Sequence, residues 1–146
     1  MPEKETLERA EEDKREGKSP STQAGEFVHE EIEHVREGKH GARSTKQAIA
    51  IGLSKARRAG VKLPASKSAS KRTRAQAARD TRKGRSSGSR KPSAKRSRAT
   101  SRALKREGHS AASRSALSRQ ARSAAAKRSA SSRSRAAKKA AATRKK

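Results

Sequence analysis

Histidines and acids that lie close together in the chain are the first residues to consider for metal or proton chemistry. The run HEEIEH, from His29 to His34, contains two histidines and three glutamates. A zinc site on a single helix needs histidines four apart, because that spacing puts both on one face. His29 and His34 are five apart and diverge by about 140° on a helix of 3.6 residues per turn. His40 and His109 lie in loops beside glycine and have no partner ligand nearby in the sequence. The sequence therefore predicts no metal site.

No other arrangement of residues indicates catalysis. The chain has no cysteine, which excludes disulfides and thiolate ligands. It contains neither a G-x-x-x-x-G-K-[ST] phosphate loop nor a nucleophile elbow. Hydrophobic residues make up 28% of the sequence, which is too little to wall a substrate pocket. We therefore expect a protein that is not an enzyme and that uses no cofactor.

Lysine and arginine are the residues whose number does indicate a function. The chain of 146 residues has 41 basic and 14 acidic residues and therefore carries a net charge of +27. Residues 1–37 hold 12 of the acids, whereas residues 65–146 hold 28 bases and only two acids. Cations in such numbers neutralise phosphates and release counterions without reading base sequence. This charge distribution predicts nucleic-acid binding, and we also consider that the acidic segment competes by folding back on the basic half.

The mode of nucleic-acid binding follows from what the basic half lacks. Phe27 is the one aromatic residue, so residues 65–146 have none of the stacking side chains on which single-strand binders and sequence-reading RNA modules depend. We expect sequence-nonspecific binding and compaction of DNA, with DNA favoured over RNA. If half of the 28 basic residues contact phosphates, the slope of log K against log salt is about −12. Two alternatives are an RNA- or ribosome-associated basic protein and a charged protein that protects others under stress.

The predicted contacts lie in two regions, a short helical one before Pro64 and the basic half after it. The basic residues of the helical region are expected to dock it beside the DNA backbone, and the basic half is expected to supply most of the affinity. The residues predicted to bind nucleic acid are Lys46, Lys55, Arg57, Arg58 and Lys62, followed by Lys71, Arg72, Arg74, Arg90, Lys91, Lys95, Arg96, Arg98, Lys127, Arg128, Arg133, Arg135, Lys138 and Lys139.

Three segments must position these residues. Residues 1–25 predict a solvated acidic helix from Glu3 to Glu16, which ends at Gly17 and is followed by a linker. Residues 26–64 predict a helical hairpin. Residues 65–146 predict a disordered tail of low complexity, because ordering a residue costs roughly 1–2 kcal/mol and few large apolar side chains are present to offset that cost. The expected fold class is thus mostly α and disordered.

The hairpin has the clearest helix signals. Val28, Ile32 and Val35 repeat at positions i, i+4 and i+7 and form one apolar face. Ser44 is an N-cap that forms a capping box with Gln47, and Gly60 ends the second helix. A core of two short helices is marginal by itself, so the hairpin also offers a surface for a homodimer.

Two stretches resemble known protein families. The run STKQAIAIGLSKARRAGVKLP, from Ser44 to Pro64, resembles a family of small, uncharacterised bacterial basic proteins built around S-R-K-Q-A-I-A-I-A-L-S-E-A-R-x-A-G, and the resemblance covers residues 26–64. The tail resembles the basic tails of linker histones and of bacterial histone-like proteins. These resemblances imply a bacterial, cytoplasmic protein associated with the nucleoid. No stretch has the apolar length of about 20 residues that a membrane span requires, and we expect no membrane contact.

Overall fold

A computed structural model describes residues 1–86 and 93–144 of the chain. These residues form seven α-helices and one short 3₁₀ turn. The elements are α1 (Lys4–Arg15), α2 (Pro20–Arg36), α3 (Thr45–Arg58), α4 (Lys71–Arg85), α5 (Ala94–Lys105), the 3₁₀ turn (Ser110–Ala112), α6 (Arg114–Ala126) and α7 (Ala130–Arg144).

The basic half is helical, so the predicted disordered tail over residues 65–146 is wrong wherever the structure describes it. Alanine, arginine and lysine are strong helix formers, and the tail is built largely from them. Serine side chains cap the starts of three of its helices: Ser70 Oγ accepts from Thr73 N, Ser113 Oγ from Ala116 N and Ser129 Oγ from Ser132 N, each at 3.2 Å. The tail needs few large apolar residues because it packs through small ones.

The first helix ends as the sequence indicates, with Gly17 at a φ of +72° directly beyond it. The next helix begins earlier than expected. Ser19 is its N-cap, with Oγ accepting from Thr22 N, and Pro20 occupies its first turn, where no backbone N–H is needed. The structure therefore places residues 20–25 in α2 rather than in a linker.

The ends of α3 follow the capping signals. Ser44 Oγ accepts a hydrogen bond from Gln47 N at 3.2 Å, which confirms the predicted N-cap. The return bond goes one residue further back than in the usual capping box, because Gln47 Oε1 accepts from Arg43 N at 2.9 Å. Gly60 follows the helix with a φ of +99°, a conformation that glycine adopts without strain.

Helices α2 and α3 cross at Gly52. A Cβ atom at this position would lie 2.7 Å from Val28 Cα, so only glycine allows the two backbones this close. On one side of the crossing, α1 and the chain after α3 complete a core of five buried residues: Ala10, Ala24, Phe27, Ala56 and Val61. The predicted helical hairpin is thus the centre of a larger helical bundle.

On the other side of the crossing, the basic half completes the core. Ala111 and Ala112 of the 3₁₀ turn are buried against Ile32 and Val35 of α2. Thr45 Oγ1 donates to the Ala111 carbonyl at 2.6 Å and fixes the turn in place. A two-helix hairpin would be marginal alone, and this contact supplies the missing cover from within the same chain.

Helix α4 packs on α3 through one face made of Ala77, Asp80 and Gly84. Ala77 and Asp80 are buried, and a Cβ atom at Gly84 would lie 2.5 Å from the Arg57 carbonyl oxygen. The basic side chains of α4 occupy its remaining faces. None of the helices within residues 1–86 and 93–144 combines the length and the apolar character that crossing a membrane requires.

Candidate nucleic-acid interface

Lys55 was predicted to contact phosphates, but the structure turns it toward α2. Its Nζ lies 2.9 Å from Glu30 Oε1 and 2.7 Å from Glu31 Oε2, and its side chain is 21% exposed. Burial opposes the charge of this ammonium group, and the two carboxylates outweigh that effect, so the pKa of Lys55 is raised. The positive charge of Lys55 therefore pairs with carboxylates inside the bundle.

Two arginines near the end of α3 are also engaged by the fold. Arg57 Nε donates to the Leu63 carbonyl at 2.9 Å, which holds the chain that leaves the helix. Arg58 Nε donates to Asp80 Oδ1 at 2.9 Å, although half of the Arg58 side chain stays exposed. Both guanidinium groups thus have structural partners before any phosphate arrives.

The other predicted cations within the described ranges are exposed. Arg90 and Lys91 lie outside the described residues. The exposed set consists of Lys46, Lys62, Lys71, Arg72, Arg74, Lys95, Arg96, Arg98, Lys127, Arg128, Arg133, Arg135, Lys138 and Lys139.

Helix α5 is a strongly cationic and exposed element. It has five basic residues, no acid and no buried residue. At 100° per residue, four of the five lie within an arc of about 80°. We call these four, Lys95, Arg98, Arg102 and Lys105, the α5 stripe. Arg102 and Lys105 were missing from the predicted contacts, because their common face with Arg98 matters only once residues 94–105 are known to be helical.

A shallow pocket beside the end of the hairpin brings more guanidinium groups together. It is lined by Arg74, Arg82 and Arg85 of α4 together with Leu63 and Pro64. Only the first of these arginines was predicted. The guanidinium groups that line this pocket can bind phosphates through charge-assisted hydrogen bonds.

The two acids of the basic half are already paired with cations that precede residue 65. Asp80 pairs with Arg58, and Glu107 Oε1 lies 3.5 Å from Arg43. Within residues 1–86 and 93–138, the acidic segment, Glu3 to Glu37, likewise makes its ion pairs with residues before 65. Across residues 65–86 and 93–138, no basic side chain lies within ion-pairing distance of an acid. The lysines and arginines that pair with the acidic segment are Lys4, Arg9, Lys18, Arg36, Lys39 and Lys55, and the imidazoles of His34 and His40 also lie beside its carboxylates.

Residues 14–67 match a family of unknown function (DUF6496). The matched range takes in α2, α3 and the end of α1, and it stops before α4. It includes residues 26–64, on which the resemblance to bacterial basic proteins rests. No curated protein and no solved structure matches the chain. The match assigns no activity, so the function must be argued from the surface itself.

Proposed function

We propose that this protein binds duplex DNA without sequence preference and compacts it, through phosphate contacts made by α5, α7 and the outer face of α4. The observation that carries the proposal is α5, an exposed helix with five basic residues, no acid and no ion-pair partner among the described residues. No acid of the described residues compensates these charges, so the basic side chains of α5 repel one another. Phosphates would relieve their mutual repulsion and release counterions.

The dimensions of α5 fit a DNA duplex. An α-helix with its side chains is roughly 10–12 Å wide, close to the roughly 12 Å width of the major groove of B-DNA. The α5 stripe runs along a helix about 18 Å long at 1.5 Å per residue, so it can follow several phosphates. Its side chains are lysine and arginine without aromatic residues, which favours backbone contacts over base reading.

Compaction requires contact with more than one DNA segment. The bundle packs through α1, α2, α3, α4, the 3₁₀ turn and α6, whereas α5 and α7 have hardly any packing against other described helices. Helix α7 carries five basic residues distributed around its circumference. Two cationic helices that pack little against the other described helices can bind neighbouring duplexes and hold them together.

The test is a salt series of binding to labelled duplex DNA and duplex RNA with the full chain. Truncation after Pro64 is unsuitable, because it would remove Ala111 and Ala112 from the core. We would instead replace three members of the α5 stripe, Arg98, Arg102 and Lys105, with glutamine. The slope of log K against log salt should become shallower by about 2.7, because about 0.9 is lost for each phosphate contact.

The matched control neutralises three exposed cations of α1, in the variant Lys4→Gln, Lys14→Gln and Arg15→Gln, which has the same net charge. It should keep a slope near that of the unmodified protein. Equal losses in both variants would mean that only net charge matters, and α5 would not be the interface.

Tighter binding to duplex RNA than to DNA at every salt concentration would replace DNA with RNA as the partner. The end-to-end extension of long DNA measured with the protein bound reports compaction, and an unchanged extension would contradict that part of the proposal.

A further inference from the structure

A second group of chemically capable side chains lies inside the bundle, between α2 and the loop that follows it. Glu31, His34 and His40 each place one potential ligand atom within 4.8 Å of the other two. Glu31 is fully buried, and the two imidazole rings meet edge to face with centroids 6.1 Å apart. Glu31 and His34 are three apart and share a helix face, while His40 arrives from the α2–α3 loop.

Each imidazole has one nitrogen already engaged by an oxygen outside the cluster. His34 Nε2 lies 2.8 Å from Glu3 Oε1, and His40 Nδ1 lies 3.0 Å from the Gly41 carbonyl oxygen. Metal-binding histidines are held in this way, since a carboxylate or carbonyl that accepts the N–H of one nitrogen leaves the other as the ligand. His40 Nε2 accordingly faces Glu31 Oε1 at 3.2 Å. The other nitrogen of His34, Nδ1, is left for the cluster.

The carboxylate of Glu31 is the second observation that points to a ligand. Both of its oxygens are buried, and neither has a hydrogen bond of good geometry. Oε2 lies 2.7 Å from Lys55 Nζ, which also pairs with Glu30. Two buried carboxylates therefore share one ammonium group, and a negative charge is left over on the side of Oε1. Leaving such a charge unmatched in the interior is costly.

We propose that Glu31, His34 and His40 bind a divalent late transition-metal ion, with Zn²⁺ as the ion that best fits two imidazoles and one carboxylate. The charge left over on Glu31 is what the ion would neutralise. Glu30 cannot be a fourth ligand, because Oε1 pairs with Lys55 and Oε2 accepts from Glu3 N at 2.9 Å. The site thus has three protein ligands and one position for water or another donor.

This set is not the pair of helical histidines, His29 and His34, from whose spacing the sequence predicted no metal site. His29 is exposed on α2 and takes no part, so the five-residue spacing of the two helical histidines is irrelevant. An ion held by Glu31, His34 and His40 would tie α2 to the loop that leads into α3. Because the ligands are brought together only by folding, the binding free energy would stabilise the fold.

The test measures Zn²⁺ binding to the full chain, without any histidine tag, by titration calorimetry and by thermal unfolding. We expect one ion per chain and a higher melting temperature with the ion. His40→Ala should weaken binding by about 100-fold or more, since losing an outer partner alone costs about 10- to 100-fold. His29→Ala and His109→Ala are matched controls and should bind Zn²⁺ as the unmodified protein does.

Two further measurements keep the proposal falsifiable if His40→Ala does not fold. Co²⁺ bound to the unmodified protein should give the intense visible absorption of a tetrahedral site, and a weak octahedral spectrum would overturn the assignment. Lys55→Met removes the ammonium group that competes for Glu31, so it should raise the Zn²⁺ affinity. Absence of saturable binding, an equal loss in the His29→Ala control, or weaker binding by Lys55→Met would each contradict the site. None of these readouts depends on DNA binding.

Discussion

Arg58 donates a hydrogen bond from Nε to Oδ1 of Asp80 over 2.9 Å, and this contact joins the end of α3 to the middle of α4. Asp80 is 1% exposed and also accepts from Ser54 Oγ at 2.9 Å and from Gln76 Nε2. Burial opposes its charge, but the donors prevail, so the pKa of Asp80 is lowered. One of the two acids in the basic half is thus a point at which that half attaches to the bundle.

Replacing Asp80 with alanine should weaken this attachment. Three donors would lose their acceptor, and we expect the free energy of unfolding to fall by about 1–3 kcal/mol, as measured by urea denaturation. Glu107→Ala is the control, because its partner Arg43 is 82% exposed and such surface pairs contribute at most about 1 kcal/mol. Equal effects of the two substitutions would show that Asp80 is not a structural attachment.

Gly52→Ala should destabilise the crossing of α2 and α3. The new Cβ would meet the backbone of α2 at Val28 Cα, 2.7 Å away, and a backbone cannot move aside as a flexible side chain can. We expect a loss of about 1–3 kcal/mol in the free energy of unfolding. Gly25→Ala introduces the same methyl group within α2 where no atom lies within 4 Å, so it should stabilise by about 0.4–1 kcal/mol. Loss of stability in both variants would contradict a steric cause.

Stability should fall in acid because two glutamates depend on their charge. Hydrogen bonds from His34 and then Lys39 lower the pKa of Glu3 from its ordinary value of 4.5 to about 2. Burial opposes the charge of Glu30, but its hydrogen bonds, led by the one from Lys55, outweigh that effect, so the pKa of Glu30 is also lowered. A folded-state pKa below the unfolded one gives stability that is present above pH 4.5 and is lost as the pH falls toward 2.

Melting temperatures measured across that pH range, with a chelator present, check this prediction. Glu3→Gln cannot titrate at that position, so its melting temperature should decline less steeply with acid than that of the unmodified chain. Glu5→Gln is the control, because Glu5 is exposed and pairs only within α1, with Arg9. Identical pH profiles for Glu3→Gln and the unmodified protein would contradict the role of Glu3.

Amide hydrogen exchange should divide the molecule into a slow and a fast part. Helices α2 and α3 contain seven and four buried residues, whereas α5 has no buried residue and should exchange fastest together with α7. Added duplex DNA should slow exchange in α5 and leave α1 unchanged. Protection that appears first in α1 would place the DNA on the wrong face of the bundle.

The parts of the fold that could be predicted are those with local signals. Ser44 and Gly60 mark the ends of α3, and Ile32 and Val35 lie in the core as their spacing predicts. The helices after residue 65 could not be predicted from apolar residues, because their buried contacts are alanines such as Ala112. A small side chain gives little hydropathic signal, yet it allows helices to pack closely.

The candidate sites were predicted only in part for a related reason. Helical periodicity puts Lys55 on the cationic side of α3 and Glu30 on a wet face of α2, but each is the partner that allows the other to be buried. Such a pair is visible only when both helices are placed. Likewise, His40 joins Glu31 and His34 across a loop, and no spacing along the sequence encodes that encounter.

The contact between Ala111–Ala112 and α2 also sets an order of events during synthesis. Ile32 and Val35 emerge from the ribosome long before the alanines that cover them, which are more than 70 residues further along the chain. The nascent chain therefore carries an uncovered apolar face until most of its positive charge has been made. Any product that stops before residue 111 keeps that face open, and such exposed surfaces are what chaperones and proteases recognise. An incomplete basic chain would thus be recognised and removed because its N-terminal half exposes this apolar face.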